Sequence, residues 1–203
     1  WFGGKGPGVW RAVACVGVGL LDALQCVVHA GLPEAPTRDS TQKSIVLRLA
    51  AGARAATALL VYALLPTVPG VSRTRKRVAL ALMLLVVGVL AYVGLLGADQ
   101  LPPLFIQGQG LTPLKIGLEW LIVTLNLLTL ATFWRRREAL AGECLMALNF
   151  AVALSAVSEI FVMQFGAVDT DSANALGHVY KVLAYLYLLH ATFNEALRRP
   201  LKQ

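Results

Sequence analysis

Within "GQGLTPLKIGLEW", residues 108–120, Lys115 and Glu119 stand one helical turn apart. That i, i+4 spacing puts a cation and a carboxylate on one helix face, where they either pair or hold a polar ligand between them. Asp22, Gln25 and His29 recur at i, i+3 and i+7, so an acid, an amide and an imidazole share a second helical stripe. Arg48, Glu159, Asn174, His178 and Lys181 extend the set. Together these side chains offer hydrogen-bond donors and acceptors of both charges, which suits reversible binding of a small polar ligand. They do not spell a covalent mechanism, because the chain contains no HExxH, GxSxG, P-loop or Rossmann fingerprint. Ser155 and Ser158 lie beside Glu159 but lack a nucleophile turn. His29 and His178 form an alternative: on facing helices at one depth, two imidazoles would suffice for haem. The default reading has no cofactor. His178 and His190 are twelve residues apart on one helix, about 18 Å by helical rise, and do not share an iron.

The elements that must position these residues follow from hydropathy. Of 203 residues, 57% are hydrophobic and 14% charged, with a mean hydropathy of +0.67. That composition is a membrane protein's. A hydrocarbon core about 30 Å thick needs about 20 residues of helix, and six stretches meet that length, at about 9–31, 44–66, 78–97, 112–134, 144–166 and 175–197. The expected fold is an all-α integral membrane bundle of about six transmembrane helices, a single domain over residues 1–203. Thr112 and Pro113 suit the N-cap and first position of the fourth helix. Cys15, Cys26 and Cys144 lie in apolar runs without CxxC spacing, which gives neither a disulfide framework nor a zinc site.

The net charge of +7 is explained by topology rather than by nucleic acid. Connections 67–77 and 135–138 hold seven basic residues and one acid, whereas 32–43, 98–111 and 167–174 hold two basic residues and five acids. The positive-inside rule places the first set in the cytoplasm, together with both ends of the chain. Most intramembrane polar residues then fall in the periplasmic half. Each has a plain reading: an end-of-helix lysine such as Lys115 snorkels at little cost, and a lone histidine is more often an interfacial or satisfied core residue. A carboxylate roughly 10 Å inside a span, as Glu119 is by helical rise, is harder to place unless it faces protein, water or a ligand. Five helices contribute a polar group at similar depth, and their convergence describes an outward-opening pocket. The opposite halves, "NLLTLATFW" and "ALMLLVV", read as nearly featureless, which favours signal reception over transport or ion conduction. A passive dimerising anchor is the third reading.

Four blocks carry a resemblance: "LLDALQ", "GQGLTPLKIGLEW", "SEIFV" and "NALGHVYKVLAYLYLLHATF". In this order the chain resembles the bacterial membrane-associated sensor domain family, third type, over nearly its whole length. The resemblance implies an N-terminal membrane module attached to a cytoplasmic effector in the same polypeptide: a diguanylate cyclase, a cyclic-di-GMP phosphodiesterase or a histidine kinase. It also implies one or two earlier spans, in keeping with a chain that opens on "WFGG" without a methionine and reads as a piece of something longer. The chain departs from the family pattern at Gln25, where a histidine is frequent, and from Leu47-Arg48 through Gly52, where an aromatic pair leads into alanines and an arginine. Arg54 stands two residues beyond the displaced arginine, about 200° around the helix. The expected ligand set is Lys115, Glu119, Glu159, Asn174, His178, Lys181, Asp22, Gln25, His29 and Arg48, serving an unidentified small ligand at the lipid bilayer, with a homodimer as a further partner.

Overall fold

Long runs of alanine, leucine and valine, broken only at polar or glycine-containing joints, fold into helices in the computed structural model. It describes residues 17, 19–21, 23–24, 38–64, 72–106, 110–137, 142–165 and 172–198. Among these, α1 is Arg38–Leu64, α2 Arg73–Leu96, α3 Pro113–Arg135, α4 Gly142–Phe165 and α5 Ser172–Arg198. The described residues between 17 and 24 are also helical, and the rest of the expected first span lies outside the described residues. Gln42–Leu64, Arg77–Leu96 and Pro113–Arg135 are each long and apolar enough to cross a membrane. Leu145–Phe161 of α4 is apolar over a shorter length. The architecture is an all-α membrane fold.

Two helices start earlier than hydropathy suggests, because polar residues continue them into the interface. α1 begins at Arg38 rather than near 44. α2 begins at Arg73 rather than near 78, capped by Ser72, whose Oγ accepts from the Arg75 amide at 3.3 Å. The basic run 73–77 therefore forms the first turns of a helix and not a loop.

The chain divides into two compact units, one comprising Val13–Ala55 and Ser72–Leu118, the other Trp1–Ala12, Ala56–Val71 and Glu119–Gln203. In the first unit, α2 ends at Gly97, whose amide donates to the Val93 carbonyl, and a short 3-10 turn, Ala98–Gln100, follows. Gln42 of α1 donates from Nε2 to the carbonyls of Ala98 at 2.9 Å and Leu101 at 3.3 Å, fastening the start of α1 to that turn. Further along, Leu47 of α1 fills the notch left by Gly94 of α2, and Leu21, Leu47, Ala51, Ala98 and Leu104 form buried positions of this unit.

In the second unit the packing centres on Phe133 of α3, which is fully buried with Leu59 and Ala63 of α1, Leu145, Leu148 and Val152 of α4, and Ala191 of α5. Tyr62 meets the Phe133 ring edge-on, with centroids 6.2 Å apart. Lipid is as apolar as these side chains, so burial here stabilises through dispersion and close approach rather than through escape from water. The buried alanines at 147, 151, 156, 184 and 191 are the small residues such close approach requires.

Candidate functional site

The stretch that precedes α3 shows how the sequence delivers polar groups to a helix that is otherwise apolar. Phe105–Ile106 and Gly110–Leu111 form a two-residue antiparallel ladder, pairing Phe105 with Leu111 and Ile106 with Gly110. Gly110 has φ of 86°, a conformation that glycine adopts without steric cost. From the ladder the chain passes directly into Thr112. Its amide and its hydroxyl both donate to the Leu104 carbonyl at 3.1 Å, and the same hydroxyl accepts from the Lys115 amide at 3.5 Å. Thr112 is thus both the N-cap of α3 and the clasp that holds it to the ladder, with Pro113 opening the helix. No strand was expected here.

From that start the buried face of α3 is fixed by helical geometry. Lys115 is 3% exposed and Glu119 is 0% exposed. Continuing at the same azimuth come Ile122, Val123, Asn126, Thr129 and Phe133, all buried, and at 100° per residue they fall within about a third of the helix circumference. Leu121, Leu127, Leu128 and Trp134 occupy the exposed remainder. The half of α3 that reads as featureless in sequence is therefore polar on its hidden side: Asn126 and Thr129 are buried. Asn126 donates from Nδ2 to the Ile122 carbonyl at 3.1 Å, and the Thr129 hydroxyl donates to that of Leu125 at 2.8 Å.

The other expected residues are dispersed. Arg48, half-buried on α1, belongs with Lys115 to the Val13–Ala55 and Ser72–Leu118 unit. In that unit the Arg54 guanidinium packs so tightly over Gly17 that a Cβ there would overlap it. Glu119, Glu159, Asn174, His178 and Lys181 belong to the other unit. Glu159 on α4 is buried, Lys181 on α5 is half-buried, and His178 is on the exposed surface of α5. Asn174 falls in the first turn of α5, and its side chain is outside the described residues. Asp22, Gln25 and His29 also lie outside the described residues, and with His29 so does any test of the bis-histidine haem arrangement.

What aligns α4 with α5 is a residue of another kind. The buried Ser158 hydroxyl donates to the Gly177 carbonyl at 2.7 Å, and Phe161 meets Tyr180, and Phe150 meets Tyr187, at centroid distances of 5.4 Å. These three contacts set an antiparallel register in which Glu159 and His178 each follow one partner of the same hydrogen bond. Ser158 is occupied as a helix clasp, which assigns the serine near Glu159 a structural task.

The buried polar groups of this unit include Glu119 and Asn126 on α3 and Glu159 on α4, with the half-buried Lys181 on α5. Among the described residues no group of three or more His, Cys, Asp or Glu is placed to hold a metal ion. Compared with known proteins, residues 6–200 match the family model of a membrane-associated sensor domain. No curated protein and no solved structure matches the chain.

Proposed function

The chain belongs to the membrane-associated sensor domain family, and from that premise we propose that it receives a chemical signal at the polar interior of its helices and relays it through α5 to a C-terminal cytoplasmic effector. The effector is a cyclic-di-GMP enzyme or a histidine kinase, and the sensor domain itself performs no catalysis. The observation that carries this reading is the full burial of Glu119 in a helix apolar enough to span the bilayer. A carboxylate in such a place is expensive and marks function more often than stability. Glu159, buried on α4, and Lys181, on α5, are the groups of the same unit that would share a ligand with it. A ligand that favours one arrangement of these helices over another shifts their equilibrium by its differential affinity.

The orientation that fits this role has connections 67–77 and 135–138 in the cytoplasm of a bacterial cell, by their excess of arginine and lysine. Transport is the second reading, and the buried Asn126 and Thr129 favour it, because they carry the polar stripe of α3 past Glu119. Reception is supported by the continuity of α3 from Pro113 to Arg135, since transporters commonly break their site helices at the midplane.

The test uses the full-length protein in its native membrane. Glu119→Gln and Glu159→Gln should change effector output per folded molecule while abundance stays near wild type, and Leu128→Ala, on the exposed face of α3, should change neither. A coupling of about 1–3 kcal/mol, or about 5–150-fold in affinity, is the typical range. Output that merely follows protein level would turn the domain into an anchor. Solute flux in proteoliposomes that Glu119→Gln abolishes would establish transport instead.

A further inference from the structure

Among the described residues, the hidden face of α3 holds an amide oxygen with no hydrogen-bond partner. Asn126 is 2% exposed, and its Oδ1 meets no hydrogen-bond partner among the described residues. One of its two Nδ2 hydrogens is committed to the Ile122 carbonyl. Three residues on, the buried Thr129 hydroxyl spends its proton on the Leu125 carbonyl, which leaves its oxygen lone pairs as acceptors. Seven residues before Asn126, at nearly the same azimuth and about 10 Å along the axis by helical rise, is Glu119. Among the described residues the stripe beyond Glu119 therefore presents Asn126 Oδ1 and Thr129 Oγ1 as acceptors against a single remaining Nδ2–H donor. An amide oxygen in a protein interior is almost always hydrogen-bonded, and in lipid no bulk water stands by to satisfy it.

We propose that Asn126 Oδ1 and Thr129 Oγ1 form a second polar subsite within the Ala56–Val71 and Glu119–Gln203 unit, deeper along α3 than Glu119, which binds a hydrogen-bond donor, an O–H or N–H group. The donor comes from an internal water or from the hydroxyl or ammonium end of a small molecule. Selectivity follows from the inventory: with two acceptors against one remaining N–H, the subsite favours alcohols, ammonium groups and water over carboxylates and phosphates. The inference rests on the packing of α3 and goes beyond the sensing role, so it stands or falls separately from the effector assays.

The experiment reads the Asn126 carbonyl directly. Full-length protein carrying 13C in its asparagine side-chain carbonyls is placed in lipid nanodiscs, and the infrared spectrum of Asn126→Leu is subtracted from that of wild type. Asn126→Thr provides the same subtraction should the leucine variant fold poorly. Propionamide in water and in cyclohexane supplies the hydrogen-bonded and free reference positions. The expected band lies at the hydrogen-bonded position. If it stays there after exhaustive washing in lipid and buffer alone, the donor is water. If it moves to the free position on washing and returns when an extract of the native membranes is added, the donor belongs to a small molecule. A band at the free position both before washing and with the extract overturns the proposal.

Discussion

The Ser158 hydroxyl donates to the Gly177 carbonyl at 2.7 Å across the α4–α5 contact, and both groups are buried. The bond fixes which residue of α4 faces which residue of α5 at this point of the pair. Hydrogen bonds between helices in a membrane are each worth about 0.6 kcal/mol on average and up to about 1.7. Ser158→Ala should therefore lower unfolding stability, followed by far-UV circular dichroism in a denaturing-detergent titration, by about 0.5–1.5 kcal/mol. Ser158→Thr keeps the hydroxyl and should recover part of that loss. Equal stability of wild type and alanine variant would remove the clasp from the account of how α4 and α5 align.

Much of this fold could be read from residue types, and the exceptions have physical causes. α3 was legible to within a residue at its start, because a threonine before a proline is local chemistry that needs no tertiary context. The apolar spans of α1 and α2 start at Gln42 and Arg77, close to the 44 and 78 that hydropathy gives, while the helices themselves start at Arg38 and Arg73, since hydropathy marks where lipid begins and a helix continues through its polar first turns. The ladder at Phe105–Ile106 and Gly110–Leu111 was invisible, as two residues per strand are too few to show a period of two. Within the candidate site, Glu119 was conspicuous because charge in a span is rare. Asn126 and Thr129 were not, since two uncharged polar residues in a long apolar helix acquire meaning only once the buried face is known. The signal was nonetheless present: Glu119 and Asn126 are seven residues apart, two turns on one face.

A Cβ added to Gly94 would lie 2.5 Å from Leu47 Cδ2 and 2.8 Å from its Cγ. Leu47 is fully buried, so little room exists for it to retreat. Gly94→Ala should cost about 1–3 kcal/mol by overpacking. Leu47→Ala alone should cost about 2–5 kcal/mol by opening a cavity. Because the two changes are complementary in volume, the double variant should be more stable than the two penalties together allow, and strict additivity in thermal unfolding would refute the contact.

Orientation is open to a direct measurement. Reporter fusions after Arg77 and after Arg137 should be active only in cytoplasmic format, and insertions at Asp39 or Asp171 only in periplasmic format. The expectation follows from seven basic residues in connections 67–77 and 135–138 against two in the opposite set. A periplasmic signal after Arg77 would invert the membrane assignment and put the Glu119 end of α3 on the cytoplasmic side.

The last prediction joins orientation to packing. Just beyond α3, Arg136 donates from Nη1 to the Ala63 carbonyl at 2.7 Å, and Ala63 is in the last turn of α1. Carbonyls at a helix end have no partner within the helix, and a cation beside them also complements the negative end of the dipole. Its neighbours behave otherwise: Arg135 is exposed, and the Arg137 guanidinium lies over the exposed Trp134 ring at 5.0 Å, the arrangement of a side-chain pair at an interface. Three adjacent arginines thus do different work, although all count equally toward topology. Arg136→Gln and Arg137→Gln remove the same charge, so their effects on reporter orientation should be alike and small. Their effects on stability should differ. Arg136→Gln should lose about 1–3 kcal/mol, the range for a hydrogen bond to a charged group together with the carbonyl it strands, whereas Arg137→Gln should stay within about 1 kcal/mol, as expected for an exposed cation–π pair. Matched losses in a denaturing-detergent titration would mean that charge alone matters at this end of the bundle, and the capping role assigned to Arg136 would fall.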